Sequence, residues 1–231
     1  MTELSPFRVF LPAGMEPDAG ALEQMRRCMA DERAVEGALM ADHHLGYSMP
    51  IGGVIGYRAL RLSDLQRGER IGLFGFGASA HIALQIARHW QCEAYVFTRG
   101  EAHRRLAREL GAAWTGGAEE TPPQLIDRAV VFAPVGALVL DALRVMRKGG
   151  TVAHAGIYST PIPQIDYNLL YHERTIRSVA NSTRKDVEEL LQVAAEIPIR
   201  TEVEVFPLRD ANRVLQMMKA SKIRGAAALQ I

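Results

Sequence analysis

The stretch LFGFGASAHIALQIARHW, residues 73–90, decides the fold of this chain. An apolar run ends in the glycine turn Gly75-Phe76-Gly77, and a segment with helically spaced apolar residues follows it directly. This pattern is typical of a buried strand, a tight turn and the beginning of a helix. The stretch therefore raises the question of whether the turn holds a phosphate group.

The pattern around this stretch predicts an α/β fold. Short apolar runs alternate with segments of helical period, which indicates a doubly wound parallel sheet covered by helices. The predicted strands are 70–75, 93–98, 113–115, 128–133, 150–155 and 175–179. One predicted helix has an apolar face that reaches Met146 and ends at the pair Gly149 and Gly150, and a later helix spans 184–196.

The chain divides into three parts by composition. Residues 1–45 have scattered Pro and Gly, so they are interpreted as an irregular segment with one helix near 19–30. Residues 46–198 carry the regular alternation and form the predicted dinucleotide-binding domain. Residues 199–231 predict a strand, a helix with Asp210 as its N-cap, and a final strand.

Composition excludes several function classes. The chain has 231 residues, of which 48% are hydrophobic, with 27 Lys and Arg against 26 Asp and Glu. This balance provides no field to hold nucleic acid or an anionic membrane, and the apolar runs are too short to cross a bilayer. Cys28 and Cys92 form no paired motif, and no signal-peptide pattern appears. We expect a cytoplasmic protein with a small-molecule partner.

The glycine turn has the pattern G-x-G-x-x-A. Gly75 permits the tight turn, Gly77 lets the backbone approach a pyrophosphate, and Ala80 leaves room for the helix to pack on the strand. The N–H groups of Ala78, Ser79 and Ala80 are the free donors at the helix start, where an anion is favoured. The pattern predicts dinucleotide binding; an ordinary strand-to-helix turn is the alternative. His81, in the first helical turn, is expected to pack or hydrogen-bond near the phosphates.

The end of the second predicted strand indicates which nucleotide is bound. NAD sites usually place Asp or Glu here to accept a hydrogen bond from the ribose 2′-hydroxyl, but this chain has Thr98 and Arg99. A guanidinium suits a 2′-phosphate, so NADP(H) is predicted over NAD(H). A solvated surface arginine is the alternative interpretation.

Several segments resemble the zinc-type alcohol dehydrogenases of the medium-chain dehydrogenase/reductase superfamily. The segments are GGVIGYRAL (52–60), GFGASAHIALQIAR (75–88), LARELGAAWTGG (106–117), VVFAPVGALVLDALRVMRKGGTVAHAGI (130–157) and ERTIRSVANSTRKDVEELL (173–191). The resemblance extends from about residue 46 to the C-terminus. It implies a Rossmann NAD(P)-binding domain and a C-terminal segment that returns to a catalytic domain. The implied reaction is hydride transfer between NADP(H) and an alcohol or aldehyde.

The resemblance also implies further cofactor contacts at the strand ends. The adenosine and its ribose would be contacted by Ala133, Pro134 and Val135, and the nicotinamide ribose and carboxamide by Gly156 and Ile157. The nicotinamide itself would be contacted by Val179 and Asn181, and the pyrophosphate by Arg224. Dimers in the family join their sixth strands edge to edge, which implies a homodimer through residues 165–179.

The catalytic domain is where this sequence departs from the family. The family's zinc is held by a GroES-like barrel and by a Cys just before GGVIGYRAL, where this chain has Ile51. His43 and His44 have no Cys or carboxylate at ligand spacing, so they are interpreted as loop residues. No zinc site is predicted, and residues 1–45 are interpreted as a remnant of the catalytic domain.

A dehydrogenase without zinc needs another group to hold the charge that develops on the substrate oxygen. Tyr57 and Tyr158 are the candidates near the expected nicotinamide end, with a structural role in a pocket wall as the alternative for both. His154 is interpreted as a satisfied strand-end residue.

Three functions stay open. The first is an alcohol dehydrogenase-like oxidoreductase that uses NADP(H), and the second is a non-catalytic NADP(H)-binding module. The third is a zinc-independent quinone or enoyl reductase, which Ile51 would permit.

Overall fold

The computed structural model describes residues 7–9, 37–39, 52–220 and 222–230. Its contacts divide the chain into two compact units, Met1–Met49 and Pro50–Ile231. In the first unit, strands β1 (Phe7–Val9) and β2 (Gly37–Leu39) pair in parallel. The helix predicted near 19–30 lies outside the described residues, and the predicted domain boundaries stay predictions.

The second unit is built on a parallel sheet of six strands. The strands are β3 (Arg70–Phe74), β4 (Glu93–Phe97), β5 (Trp114–Gly116), β6 (Ile126–Val131), β7 (Met146–His154) and β8 (Thr175–Ser178). Their spatial order is β5-β4-β3-β6-β7-β8, and every neighbouring pair is parallel. The chain therefore builds outward from β3 in one direction and then in the other, which confirms the predicted doubly wound sheet.

Helices cover both faces of this sheet. In chain order they are α1 (Gly52–Leu62), α2 (Ala78–His89), α3 (Glu101–Glu109), α4 (Ala137–Arg144), α5 (Tyr167–Leu170), α6 (Arg184–Glu196) and α7 (Ala211–Lys219). No helix among the residues described is long and apolar enough to cross a membrane.

Two apolar clusters fill the space between the sheet and its helices. Leu73 of β3 packs in one cluster with Leu60 of α1 and Leu84 of α2. The next residue, Phe74, belongs to the other cluster together with Leu143 of α4. Successive strand residues point to opposite faces, so this alternation shows that the strands are buried on both sides.

The start of β7 differs from the prediction. Met146 was predicted on the helix that precedes the strand, but α4 ends at Arg144 and Met146 begins β7. The register between β6 and β7 shifts here, because Ile126 pairs with Met146 whereas Arg128 pairs with Thr151. The glycine pair therefore lies inside an irregular strand, where Gly149 has φ +71°, and does not stop a helix.

The C-terminal residues form the predicted strand, helix and strand. Strands β9 (Val203–Pro207) and β10 (Ala226–Gln230) pair in parallel, apart from the six-stranded sheet, and α7 connects them. Asp210 stands at the N-cap of α7, but its side chain makes no capping bond and instead accepts a hydrogen bond from Arg213 at 2.8 Å.

Candidate nucleotide-binding site

The glycine turn lies where the carboxyl ends of three strands converge. Gly75 follows β3 with φ +90°, a conformation that favours glycine. Its N–H donates to the Phe97 carbonyl at the end of β4. A Cβ on Gly75 would lie 2.9 Å from the backbone nitrogen of Ala133, beyond the end of β6. The absence of a side chain at Gly75 therefore allows the three strand ends to approach one another.

Gly77 stands at the N-cap of α2 and faces empty space. Its backbone is extended, with φ −115° and ψ −154°, and a Cβ on it would have no atom of the described residues within 4 Å. Glycine has no side chain with which to cap this end of the helix. The N–H groups of the first helical turn therefore face an uncapped helix end, where the helix dipole favours an anion.

Two residues of the first turn of α2 are buried beneath this space. Ala80 is fully buried and packs in the cluster that includes α1. His81 is 2% exposed; its Nδ1 donates to the Gly77 carbonyl at 3.2 Å, and its Nε2 accepts from the Glu202 N–H at 3.3 Å. The expectation that His81 hydrogen-bonds beside the turn is confirmed. Burial lowers the pKa of the imidazole, although the contact with Gly77 acts in the opposite direction.

The end of β4 presents one buried and one exposed residue. Thr98 is 8% exposed; its N–H donates to the Gly116 carbonyl, and its own carbonyl accepts from Arg104 Nε. Arg99 is exposed and has no ion pair or hydrogen bond with any residue that the structure describes. The nearest following carboxylate in the chain, Glu101, pairs with Arg108. The charge of Arg99 is therefore not compensated by any residue in the described part of the chain.

The loops after β6 and β7 pack against each other at the same edge of the sheet. A Cβ on Gly156 would lie 2.9 Å from the Ala133 carbonyl oxygen and from the Pro134 Cα, so only glycine fits this approach. Val135 and Ile157 are exposed beside this contact, at 41% and 66%. These residues thus form one continuous surface at the carboxyl ends of β6 and β7.

The end of β8 completes this edge. The Val179 N–H donates to the His154 carbonyl at 2.9 Å. Asn181 has φ +60°, a conformation that Asn tolerates better than most residues, and its side-chain oxygen accepts from the Ser182 N–H. Because all six strands are parallel, the strand-end residues predicted to contact the cofactor share one edge of the sheet with the glycine turn.

Arg224 is bound by two carboxylates, and its contact with the pyrophosphate stays a prediction. Its Nη2 contacts the Glu109 carboxylate at 2.5 Å, and its Nε lies 3.1 Å from a carboxylate oxygen of Glu202. Glu109 is the last residue of α3. The guanidinium is therefore neutralised by two carboxylates of the C-terminal segment and α3.

The two tyrosines predicted as catalytic candidates lie in different surroundings. Tyr57 is 5% exposed; its hydroxyl donates to Glu189 at 2.9 Å, and its ring packs edge-on against Trp90, which follows the C-terminal end of α2. Burial, together with the Glu189 carboxylate, raises the pKa of Tyr57 to about 12. Tyr158 is fully exposed in the loop after β7, with φ +51°. The structure thus engages Tyr57 in helix packing and leaves the Tyr158 hydroxyl exposed.

The interpretation of His154 as a satisfied residue is wrong. Both of its ring nitrogens are buried, and neither makes a well-aligned hydrogen bond within the residues described. Burial lowers the pKa of this imidazole, and the Val131 backbone acts in the opposite direction. The Ser159 hydroxyl is also buried without a partner in this part of the chain. No spacing in the sequence distinguishes such residues from satisfied ones.

The described part of the chain does not bring together a set of metal ligands. Nowhere in it do three His, Cys, Asp or Glu side chains meet in a group that could hold a metal ion. Cys92 is a buried free thiol, and burial raises its pKa. His43, His44 and Ile51 lie outside the described residues.

Sequence and structure comparisons identify related proteins. The family model for zinc-binding dehydrogenases matches residues 80–196. The probable alcohol dehydrogenase AdhA of Mycobacterium tuberculosis is 44% identical over 198 residues, which cover 82% of this chain and 57% of that protein.

Two solved structures share the fold. Acetophenone reductase from Geotrichum candidum, solved in complex with NAD, has a TM-score of 0.71 at 21% identity. The match covers 78% of this chain and 53% of the reductase. The alcohol dehydrogenase from Aeropyrum pernix has a TM-score of 0.70 at 21% identity, with 56% of its length and 78% of this chain covered. The chain thus spans little more than half the length of the proteins that it matches.

Proposed function

The chain belongs to the zinc-binding dehydrogenase family, and on that premise we propose that it binds NADP(H) at the carboxyl edge of its sheet. We further propose that it transfers a hydride between this cofactor and an alcohol or aldehyde, as the name of the mycobacterial relative suggests.

The space in front of Gly77 is the observation that carries this proposal. A side chain could be accommodated there without touching any residue that the structure describes, yet the sequence has glycine at the N-cap of the helix, where it offers no side-chain cap. Protein packing alone does not require the small residue. A diphosphate that approaches the backbone explains it, because the N–H groups of Ala78 and Ser79 would then donate to phosphate oxygens.

The end of β4 supports NADP(H) over NAD(H). Arg99 has no counter-ion among the residues described, and the carboxylate of Glu101 is already paired with Arg108. An uncompensated guanidinium attracts a 2′-phosphate and offers the ribose of NAD no acceptor. We propose that Arg99 binds the 2′-phosphate, with the Thr98 hydroxyl beside it.

The remaining strand ends would bind and orient the cofactor. The bound nicotinamide supplies or accepts the hydride. We propose that the nicotinamide end of the cofactor is lined by residues that follow β7 and β8, since these strands lie on the far side of the glycine turn from β4. These residues are Gly156, Ile157, Val179 and Asn181. The adenosine and its ribose are proposed to contact Ala133, Pro134 and Val135, which follow β6.

Tyr158 is the better of the two candidates for holding the substrate oxygen. Its hydroxyl is exposed in the loop that also carries Ile157, whereas the Tyr57 hydroxyl is bound by Glu189. A phenol can donate a hydrogen bond to an oxygen that gains charge as hydride moves.

The described side chains do not fit a catalytic zinc, since no three of them meet as ligands.

The direct test is a pair of titrations with NADPH and NADH, followed by cofactor fluorescence. We expect NADPH to bind more tightly, and equal affinities would contradict the cofactor preference. Binding of neither nucleotide would contradict the proposed function as a whole.

A screen of alcohols and aldehydes with each cofactor separates the proposed enzyme from its alternatives. Turnover of an alcohol or aldehyde supports the proposal, and turnover of quinones or enoyl substrates alone supports the reductase. Tight binding without any turnover supports a nucleotide-binding module. The cytoplasmic setting and the homodimer through residues 165–179 are parts of the same proposal.

A further inference from the structure

His81 connects the glycine turn with the C-terminal segment. The ring lies in the first turn of α2 and is 2% exposed. On one side Nδ1 contacts the Gly77 carbonyl oxygen, and on the other side Nε2 contacts the backbone nitrogen of Glu202, 121 positions further along the chain. One imidazole therefore bridges two parts of the fold that the sequence separates widely.

These two partners fix the protonation state of the ring. A backbone N–H can only donate, so Nε2 must be the acceptor toward Glu202 and carries no proton. A carbonyl oxygen can only accept, so the proton lies on Nδ1 toward Gly77. The C-terminal segment therefore selects one neutral tautomer of His81.

This tautomer acts on the peptide that faces the empty space at the helix start. The Gly77 carbonyl and the Ala78 N–H belong to one planar trans peptide and point in opposite directions. The Gly77 carbonyl accepts the helix hydrogen bond from the His81 backbone N–H at 3.1 Å and a second one from the ring at 3.2 Å, and together these two bonds fix the direction of the Ala78 N–H. That N–H is one of the donors in the proposed diphosphate site.

We propose that His81 is a positioning residue: held in this tautomer by the Glu202 N–H, its ring orients the Gly77–Ala78 peptide and so sets the affinity for the cofactor's diphosphate. This role rests on the proposed nucleotide binding. It requires the neutral ring, because a proton on Nε2 would place two donors against each other at Glu202.

Other charged groups around the ring come from the C-terminal segment. Within the described residues, the charge that acts on His81 is the Glu202 carboxylate. This carboxylate is itself paired with Arg200 Nη2 at 3.2 Å and with Arg224 Nε at 3.1 Å. It is therefore largely compensated, and it does not supply a strong reason for the ring to become charged.

Gln85 offers a matched control on the same helix. Its side-chain amide donates to the Arg200 carbonyl and accepts from the Arg200 N–H, both at 2.8 Å. Like His81, it ties α2 to the C-terminal segment with hydrogen bonds, but it makes no contact with Gly77. A variant at Gln85 loosens the docking without removing the contact to the Gly77 carbonyl.

The experiment measures NADPH dissociation constants for the whole chain and for three variants: His81→Gln, His81→Leu and Gln85→Leu. Glutamine carries a donor and an acceptor in one uncharged amide, so His81→Gln should retain most of the affinity. His81→Leu should bind roughly fivefold to tenfold more weakly, the loss expected for one or two hydrogen bonds. Gln85→Leu should melt at a lower temperature with little change in affinity.

The pH dependence gives a second readout. The dissociation constant of the wild type, divided by that of His81→Gln, should rise as the pH falls below about 6.5, the ordinary imidazole value, because burial lowers the pKa of this ring and it gains its proton only there. The ratio cancels the titration of the 2′-phosphate, which is common to both proteins. Nitrogen NMR of the ring should show a proton on Nδ1 in the absence of nucleotide.

Three results would overturn the proposal: unchanged affinity in His81→Leu, an equal loss of affinity in Gln85→Leu, or a ring protonated on Nε2. If the wild type binds neither NADPH nor NADH, the proposed function fails. The NMR measurement still tests the tautomer in that case, so the two failures are distinguishable.

Discussion

Gly75 and Gly77 stand two positions apart in one turn, yet a side chain would have opposite consequences at the two. Gly75→Ala places a Cβ at φ +90° and 2.9 Å from a backbone nitrogen, so we expect a loss of about 1–3 kcal/mol in the free energy of unfolding. The Cβ of Gly77→Ala would have no atom of the described residues within 4 Å, so stability should change little while nucleotide affinity falls. Denaturant unfolding and NADPH titration of both variants check this. A Gly77→Ala protein that binds NADPH normally would contradict a diphosphate close to this residue.

Arg99 is the residue on which the cofactor preference depends. Arg99→Ala should weaken NADPH binding about tenfold or more, because a charge-assisted contact to the 2′-phosphate is lost, and should leave NADH affinity unchanged. Arg105→Ala is the matched control, since Arg105 is also exposed and without a partner among the described residues but lies within α3, away from the strand end. Equal losses for both nucleotides in Arg99→Ala would contradict a specific 2′-phosphate contact.

At the scale of elements, α1 is attached to α6 by a partly buried ion pair. Asp186 is 4% exposed; it caps α6 together with Thr183 and contacts Arg58 Nη1 at 2.7 Å. Burial alone would raise the pKa of this carboxyl, but the hydrogen bonds from Thr183 and Arg58 outweigh burial, and the pKa is lowered. The ionised carboxylate therefore stabilises the folded chain.

Asp186→Asn should lower the free energy of unfolding by about 2–3 kcal/mol at neutral pH. The pH dependence of this stabilisation follows from the lowered pKa of Asp186. The ionised carboxylate stabilises the fold fully at pH values above its pKa in the unfolded chain, about 3.9, and this stabilisation is lost as the pH falls through its pKa in the folded chain. Unfolding free energies measured down to about pH 3 should therefore fall more steeply in the wild type than in the variant. Glu188→Gln, on the exposed face of the same helix, should cost less than about 0.5 kcal/mol. Parallel pH profiles for wild type and Asp186→Asn would contradict this account.

The elements also show what the sequence could predict. The strands 70–75 and 93–98 were predictable because burial on both faces requires an unbroken apolar run, and glycine marks its end. The boundary of β7 was not predictable, because MRKGG reads as a helix end when the register shift against β6 is unknown. The glycine turn and Arg99 directly follow strands, so their position came from local pattern. The contact of His81 with Glu202 leaves no local pattern, because it joins residues 121 positions apart.

At the scale of the molecule, the six-stranded sheet ends in two edge strands, β5 and β8, of which β8 lies in the predicted dimer segment. Thr175, Arg177 and Ser178 are exposed on β8. Two exposed tyrosines precede the strand: Tyr167 begins α5 and Tyr171 follows its last residue, at 70% and 54% exposure. An edge strand with free N–H and C=O groups and exposed aromatic rings beside it is a surface on which a second copy can add its own strand. This arrangement supports the proposed homodimer through residues 165–179.

A proline at the outward-facing position of β8 tests this dimer. The Val179 N–H points inward to the His154 carbonyl, so alternation along the strand turns the Ser178 N–H outward. Ser178→Pro removes a donor that faces away from β7 and pairs with no strand that the structure describes, so the fold should persist while a strand-to-strand dimer dissociates. Sedimentation velocity should give a dimer for the wild type and for Ser178→Ala, and a monomer for Ser178→Pro with an unchanged circular dichroism spectrum. A Ser178→Pro protein that stays dimeric would move the interface away from this edge, because two edge strands cannot pair normally across a missing donor.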